Sequence, residues 1–140
     1  MEYRCFGDTY VVRLERGEEI ISALTRLTEA ELLDLATVRG IGAADQLTVG
    51  VYDVEEKQYF QEELRGAFEI TALTGNITRM AGKPYLHLHI TVADPRRGLV
   101  AGGHLNRAVI SATAELFITA YRGKVGRRHD EEIGLNLLEF

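Results

Sequence analysis

The apolar residues of this chain recur with two different periods, and the order of these periods limits the folds that the chain can adopt. In residues 20–27, isoleucine and leucine share one face at helical spacing. From Leu35 onward, and most clearly in residues 47–52, apolar and polar side chains alternate as they do in strands. Because helix and strand patterns do not alternate after this point, the sequence predicts an α+β domain built on a mainly antiparallel sheet flanked by helices.

Local signals divide the chain into elements. Residues 28–31 have the form of a capping box, which predicts either a second short turn or a first helix that continues through them. Gly66, Gly75 and Gly82 punctuate the strand-like runs, so hairpins are expected to connect these strands. Residues 108–120 are apolar enough to predict a strand that is buried on both faces.

The size of the chain favours a single compact domain over residues 1–140. No linker or repeat divides it, and residues 122–140 are a charged C-terminal segment of that domain. Only two prolines are present to block strand edges, so the sheet is expected to close into a barrel or to pair with other subunits. Cys5 has no partner for a disulfide and is predicted to be a buried small hydrophobe.

The net charge of the chain limits its binding partners, and the lack of a signal peptide and of a long apolar run limits its predicted cellular location. The formal net charge is −5, which opposes generic affinity for nucleic acid or anionic membranes. The basic cluster in residues 122–128 is followed at once by acidic residues and is predicted to be solvated. The chain shows no signal peptide and no run of about 20 apolar residues, so the sequence predicts a cytoplasmic protein without a membrane segment.

Two histidines, His87 and His89, lie in a strand-like run. Residues two apart in a strand point to the same face with Cα atoms about 6.6 Å apart, so both imidazoles can reach one ion. After turn-forming residues 94–98, two glycines bring the chain back to His104, a third candidate ligand. Three neutral imidazoles suit Zn²⁺ or another divalent ion and leave a fourth position open. The alternative is that His87 and His89 only make one face of the sheet polar.

Other chemically capable residues are weaker candidates. Glu69 and Glu115 are candidates for carboxylates that orient a ligand imidazole, but no spacing selects either one. His129 lies among charged residues and is predicted to be a surface residue. Residues 40–42 lack the third glycine of a dinucleotide-binding loop and are predicted to form a bend. No serine lies in the elbow sequence of a hydrolase.

Five segments occur in an order and with a spacing that are similar to those of a known family. They are residues 40–43, 66–70, 87–89, 102–105 and 113–116. Together they resemble the plant and prokaryote conserved (PPC) domain in its stand-alone prokaryotic form, over nearly the whole chain. The resemblance implies a compact α+β fold, with an antiparallel sheet flanked by helices, that is assembled as a homotrimer.

The resemblance also implies functional residues. Prokaryotic-type members look like metal binders through the histidines that match His87, His89 and His104. The segment containing Gly66, Phe68 and Glu69 is similar to one that plant members use for protein interaction, which implies a subunit or partner surface. Plant members carry a separate AT-hook that contacts A·T-rich DNA, and this chain has no such segment.

Two functions are consistent with these features. The leading hypothesis is a non-enzymatic, trimeric, metal-binding regulator or adaptor, with Zn²⁺ or another divalent ion as the metal, whose association with DNA is weak or depends on a protein partner. The alternative is a metal-dependent enzyme or small-ligand binder with a cupin-like site of three histidines. An open coordination position on the metal is compatible with both functions.

Overall fold

A computed structural model describes residues 1–140 as eight strands and one helix. The elements, in chain order, are β1 (Glu2–Phe6), β2 (Thr9–Glu15), α1 (Ile20–Ala30), β3 (Ala36–Asp53), β4 (Gln58–Met80), β5 (Lys83–Asp94), β6 (Leu99–Ala120), β7 (Gly126–Asp130) and β8 (Leu135–Glu139). Every strand pairing is antiparallel, so the mainly antiparallel sheet predicted from the sequence is confirmed.

The helix α1 stands alone where the sequence predicted several flanking helices. The side chain of Glu19 caps its first turn by accepting hydrogen bonds from the backbone N–H groups of Ile21 and Ser22 at 2.9 and 2.8 Å. Thr28 is buried inside α1, so the continuing helix is the correct alternative for residues 28–31. No helix in the chain has the length and hydrophobicity of a membrane span.

The main sheet closes on itself. Its strands lie in the order β1-β2-β6-β3-β4-β5, and β5 also pairs with β6. Strands β3, β4, β5 and β6 therefore form a closed barrel, while β2 and β1 extend the sheet beyond it. Closure pairs residues 89–94 of β5 with residues 99–104 of β6, so less strand edge is exposed, and it confirms one of the two arrangements that the small number of prolines predicted.

The strands are longer than the sequence pattern suggested, because glycine does not always interrupt them. Gly66 and Gly75 both lie inside β4, and only Gly82 occupies a turn between strands. Gly40 and Gly42 flank a register shift between β3 and β4, which confirms the predicted bend as a β-bulge. Bulges of this kind increase strand curvature and help a sheet to close into a barrel.

The core joins the inner face of the sheet to the apolar side of α1 and contains 25 buried apolar residues. Phe68 is only 3% exposed and belongs to this core, so its predicted place on a partner surface was wrong. Its neighbours Gly66 and Glu69 are half-buried and exposed. Within this chain β6 is buried on one face only, since Phe117 is exposed on the other, contrary to the prediction for residues 108–120.

The C-terminal segment folds into a second, two-stranded sheet made of β7 and β8. This C-terminal hairpin packs its β7 strand against β4. The side chain of Arg127 in β7 is 9% exposed, whereas the neighbouring Arg128 is exposed. The basic cluster is therefore not uniformly solvated as the sequence predicted, because the hairpin carries one of its cations into a packed contact.

Cys5 lies exposed on β1, so the prediction of a buried cysteine was wrong. Strand β1 is the outermost strand of the main sheet and pairs only with β2, so all five of its residues are exposed. The thiol of Cys5 lies 3.2 Å from the carbonyl oxygen of Gly7, to which it donates a hydrogen bond.

Candidate metal centre

Three histidines meet on the outer face of the barrel where β5 and β6 pair. His87 and His89 project from β5 to the same side, while Leu88 between them is buried in the core. His104 of β6 lies directly opposite His89 in the register of these two strands. The three histidines predicted from the sequence thus come together for two reasons. Side-chain alternation places two of them on one face of β5, and the pairing of β5 with β6 adds the third.

The ligand atoms of the three histidines all lie within 4.8 Å of one another. Their ring centroids are 5.2 to 5.6 Å apart. In a tetrahedral site with zinc–nitrogen bonds of about 2.0–2.1 Å, neighbouring ligand atoms are about 3.3 Å apart, so small ring rotations would bring these nitrogens into range. Imidazole nitrogen is a donor that Zn²⁺ and similar divalent ions accept. The group therefore fits a metal ion in both spacing and donor chemistry.

Tyr59 of β4 borders the site on the side of His104. The two rings meet edge-on with centroids 6.2 Å apart, and the Tyr59 hydroxyl donates a hydrogen bond of 2.9 Å to Oδ1 of Asn106. Gly50 makes room for this arrangement, because a Cβ at that position would overlap the Tyr59 ring. Gly50 also pairs with His104, so a side chain there would disturb the site through two contacts.

Arg127 of the C-terminal hairpin borders the site on the side of His87. Its guanidinium lies 4.4 Å from the ring centroid of Tyr85, which precedes His87 by two residues on β5. It donates hydrogen bonds to Oδ1 of Asn76 at 2.8 Å and to Oγ1 of Thr78 at 2.9 Å. Asn76 pairs with His87 in the β4–β5 register. A buried cation therefore lies beside one of the three histidines.

Burial and mutual repulsion favour the neutral form of two of these imidazoles. Desolvation lowers the pKa of His87, and the positive charges of His104, Arg127 and His89 lower this pKa further. Desolvation also lowers the pKa of His104, with a contribution from His89. Because a metal ion binds the neutral imidazole, His87 and His104 are available as ligands at neutral pH.

The structure separates the other candidate residues from the histidines. Glu69 pairs with Ala93 near the far end of β5, and Glu115 pairs with Arg13 of β2. Neither carboxylate hydrogen-bonds to a histidine, so the prediction that one of them orients a ligand imidazole was wrong. Strand register is the reason, since it places both carboxylates several residues away along their strands. His129 is exposed, as predicted.

Tyr59 and Arg127 are the residues of this region that sequence analysis missed. Tyr59 lies in a strand-like run with no feature that points to the histidines. Arg127 is preceded by a glycine and followed by Arg128, and a strand of five residues is too short for its alternation to show which arginine is buried. No local signal could have identified either residue.

Fold and site together define a small antiparallel barrel protein with a cluster of three histidines on its outer surface. A model of the Plants and Prokaryotes Conserved (PCC) domain family matches residues 1–122. The chain belongs to this family, which is also called PPC, and the resemblance predicted from the sequence is confirmed.

Solved structures of similar chains agree with this fold over almost the whole length. A "putative DNA-binding protein" from Bacteroides thetaiotaomicron is 32% identical, with a TM-score of 0.95 and coverage of 99% of this chain and 96% of that chain. A metal-containing protein from Archaeoglobus fulgidus is 31% identical, with a TM-score of 0.89 and coverage of 99% and 97%. A PPC protein from Pyrococcus horikoshii is 29% identical, with a TM-score of 0.86 and coverage of 99% and 95%.

A curated relative contains a similar segment within a much longer protein. The bifunctional protein GlmU from Synechococcus sp. (strain JA-2-3B'a(2-13)) is 33% identical over 111 residues. The match covers 78% of this chain and 16% of that protein, so this chain spans a small part of the length of the relative.

Proposed function

We propose that this chain is a metal-binding PCC-domain protein that holds one Zn²⁺ per subunit through His87, His89 and His104. The observation that carries the proposal is the convergence of three ligand atoms within 4.8 Å on an outer strand face. The similarity to the A. fulgidus protein, which is described as metal-containing, supports it. None of the three imidazoles hydrogen-bonds to or forms an ion pair with an acidic side chain that would compete for the ligand nitrogens.

The site is suited to a zinc ion with an open fourth position. Three protein ligands and one exchangeable position are typical of reactive zinc sites, whereas structural sites use four protein ligands. His89 is exposed, so a small ligand can approach from solvent. A zinc ion bound there would supply a Lewis-acid centre, and the barrel strands would hold its ligands in a fixed arrangement.

We infer that the protein acts as a homotrimeric regulator or adaptor. Ile41 and Phe117 are exposed on the outer face of β3 and β6 and border a groove of about 450 Å³. Contiguous apolar side chains of this kind are typical of surfaces that another subunit covers. Gly66 and Glu69, which stay at or near the surface of β4, extend this subunit or partner surface beyond the groove.

DNA association, in this proposal, is weak or passes through a protein partner. The names of relatives such as the B. thetaiotaomicron protein suggest DNA binding. The net charge of this chain is −5, and its basic cluster is largely neutralised. Lys124 pairs with Asp34 at 3.1 Å and Arg128 pairs with Glu139 at 3.6 Å, while Arg127 is buried. Of the four cations in this cluster, only Arg122 is exposed without an acidic partner and is left to contact phosphates.

A metal-dependent enzyme or small-ligand binder with a cupin-like site is the second candidate. It is favoured by the polar residues that border the histidine cluster, with Tyr59 beside His104 and Arg127 on the side of His87. A screen of zinc-loaded protein against small acidic and sugar ligands separates the two candidates. Chemical turnover of a ligand would favour the enzyme.

Metal analysis of protein purified without a histidine tag tests the proposed site. We expect about one zinc per chain in the wild type and almost none in the double variant His87→Ala/His89→Ala, because one ligand cannot hold the ion. His129→Ala is the matched control, since His129 is exposed and lies outside the group. Equal metal content in the double variant and the control, measured by mass spectrometry after chelator washing, would refute the site.

A further inference from the structure

Arg127 is a buried cation without an acidic partner. No carboxylate lies within 4 Å of its guanidinium, whereas the adjacent Arg128 pairs with Glu139. All three of its hydrogen bonds go to neutral oxygens, namely Oδ1 of Asn76, Oγ1 of Thr78 and the carbonyl of Asn136. An unpaired buried charge is costly, and desolvation lowers the pKa of Arg127 accordingly.

The histidine cluster adds positive charge to this neighbourhood and no negative charge. Arg127 lies over Tyr85 and binds Asn76, so it is beside the imidazole of His87. With a divalent ion on three neutral imidazoles, the region would carry the charge of the ion and that of Arg127. No acidic side chain pairs with Arg127 or with any of the three histidines, so this charge would lack a protein counterpart.

The C-terminal hairpin holds Arg127 in place through contacts at its turn. The backbone at Gly134 packs so closely on the Tyr52 hydroxyl that a Cβ would overlap it. Lys57 donates a hydrogen bond of 3.2 Å to the carbonyl oxygen of Glu131. The hairpin therefore extends from β4 and β5 to the tip of the β3–β4 hairpin, and the Arg127 side chain is fixed beside the site. The hairpin strands β7 and β8 lie beyond the segment 1–122 that matches the family model.

We propose that the open position of the three-histidine site takes a small anion through a carboxylate or phosphate oxygen, and that Arg127 supplies the balancing positive charge. The inference rests on the proposed metal site. An arginine has five N–H donors, and the three hydrogen bonds of Arg127 leave two of them without a partner in the chain. An anionic oxygen on the metal would neutralise charge that no side chain of the protein neutralises.

Calorimetric titration of zinc-loaded protein tests the proposal, with acetate and inorganic phosphate as the anionic probes. Acetamide is neutral and close in shape to acetate, so it tests whether binding requires the negative charge of the ligand. We expect acetate or phosphate to bind and acetamide to bind at least tenfold more weakly. Arg127→Gln should weaken binding of the preferred anion about tenfold, and Arg127→Lys should weaken it less because the charge remains. Arg128→Gln is the matched control and should stay within about twofold of the wild type.

The outcomes separate this inference from the proposed metal site. Zinc content is measured before any anion is added, and a wild type without zinc would overturn both proposals. A zinc-loaded wild type that binds neither anion, or that binds acetamide as well as acetate, would overturn the anion site alone. Equal anion affinity in Arg127→Gln and Arg128→Gln would do the same. If Arg127→Gln does not fold, the acetate and acetamide comparison and Arg127→Lys still decide the question.

Discussion

Replacement of Gly75 by alanine tests whether the close approach of β4 and β5 sets the geometry of the histidine site. Gly75 pairs with Leu88, which lies between two of the proposed ligands. A Cβ at position 75 would overlap the carbonyl oxygen of His87 and lie 2.8 Å from the Cα of Leu88. Both are backbone atoms that cannot rotate away, so β5 itself must move.

The size of the effect follows from this overlap. Ordinary contact of a Cβ begins at 3.4 Å, so the Cα of Leu88 must retreat by at least 0.6 Å from its 2.8 Å position, and the His87 carbonyl must move further. Overpacking of this kind costs about 1–3 kcal/mol, which lowers the Tm of a domain of this size by roughly 3–10 °C. Displacement of His87 also widens the ligand triangle, and we expect roughly tenfold weaker zinc binding.

Thermal unfolding by circular dichroism on chelator-washed protein measures the stability effect, and competition with a chromogenic chelator measures zinc affinity. Gly126→Ala is the matched control, because a Cβ there meets only the Glu139 carboxylate at 3.8 Å. If Gly75→Ala matches Gly126→Ala in both Tm and zinc affinity, the close approach of the two strands does not set the site geometry.

Three further predictions concern protonation, assembly and DNA. In the metal-free protein, NMR titration should give pKa values below about 6.5 for His87 and His104. The folded chain then takes up these protons less readily than the unfolded chain, so the free energy of unfolding falls as pH drops below about 6.5, and histidine pKa values at or above 6.5 would contradict this. Light scattering after size exclusion should give about three times 15.6 kDa, and a monomer at all concentrations would refute the trimer. With Arg127 buried, duplex DNA should bind with a Kd near 10⁻⁴ M at about 150 mM salt, and submicromolar binding would show that the chain binds DNA by itself.

The fold was largely predictable because its main signals are local. Alternation from Leu35 onward indicated the long strands β3 to β6, and the helical spacing in residues 20–27 indicated α1, whereas β7 and β8 were not predicted. The lengths of the strands were less predictable, since Gly66 and Gly75 look like turn residues in the sequence and yet continue β4. Some glycines end a strand, and others lie inside a strand where a neighbouring backbone comes close. The sequence alone does not distinguish the two cases, because the neighbouring strand is not known.

The candidate site was predictable in its ligand set but not in its surroundings. His87, His89 and His104 were named from spacing and from the turn that precedes His104, and the structure brings them together. Tyr59 and Arg127, which border the group, come from β4 and from the C-terminal hairpin. Their positions depend on how separate elements pack, and no spacing rule applies across such distances in the chain.

The sequence by itself determined that His87 and His89 share the outer face of a strand, because the alternation of side chains is a local property of extended backbone. Only the tertiary structure decided that His104 lies opposite His89, because register depends on the pairing of whole strands. The tertiary structure also decided that Arg127 is buried while Arg128 is exposed. A residue is buried when another part of the chain covers it. Strands β4 and β5 cover Arg127, and its hydrogen-bond partner Thr78 is about 50 residues away along the chain.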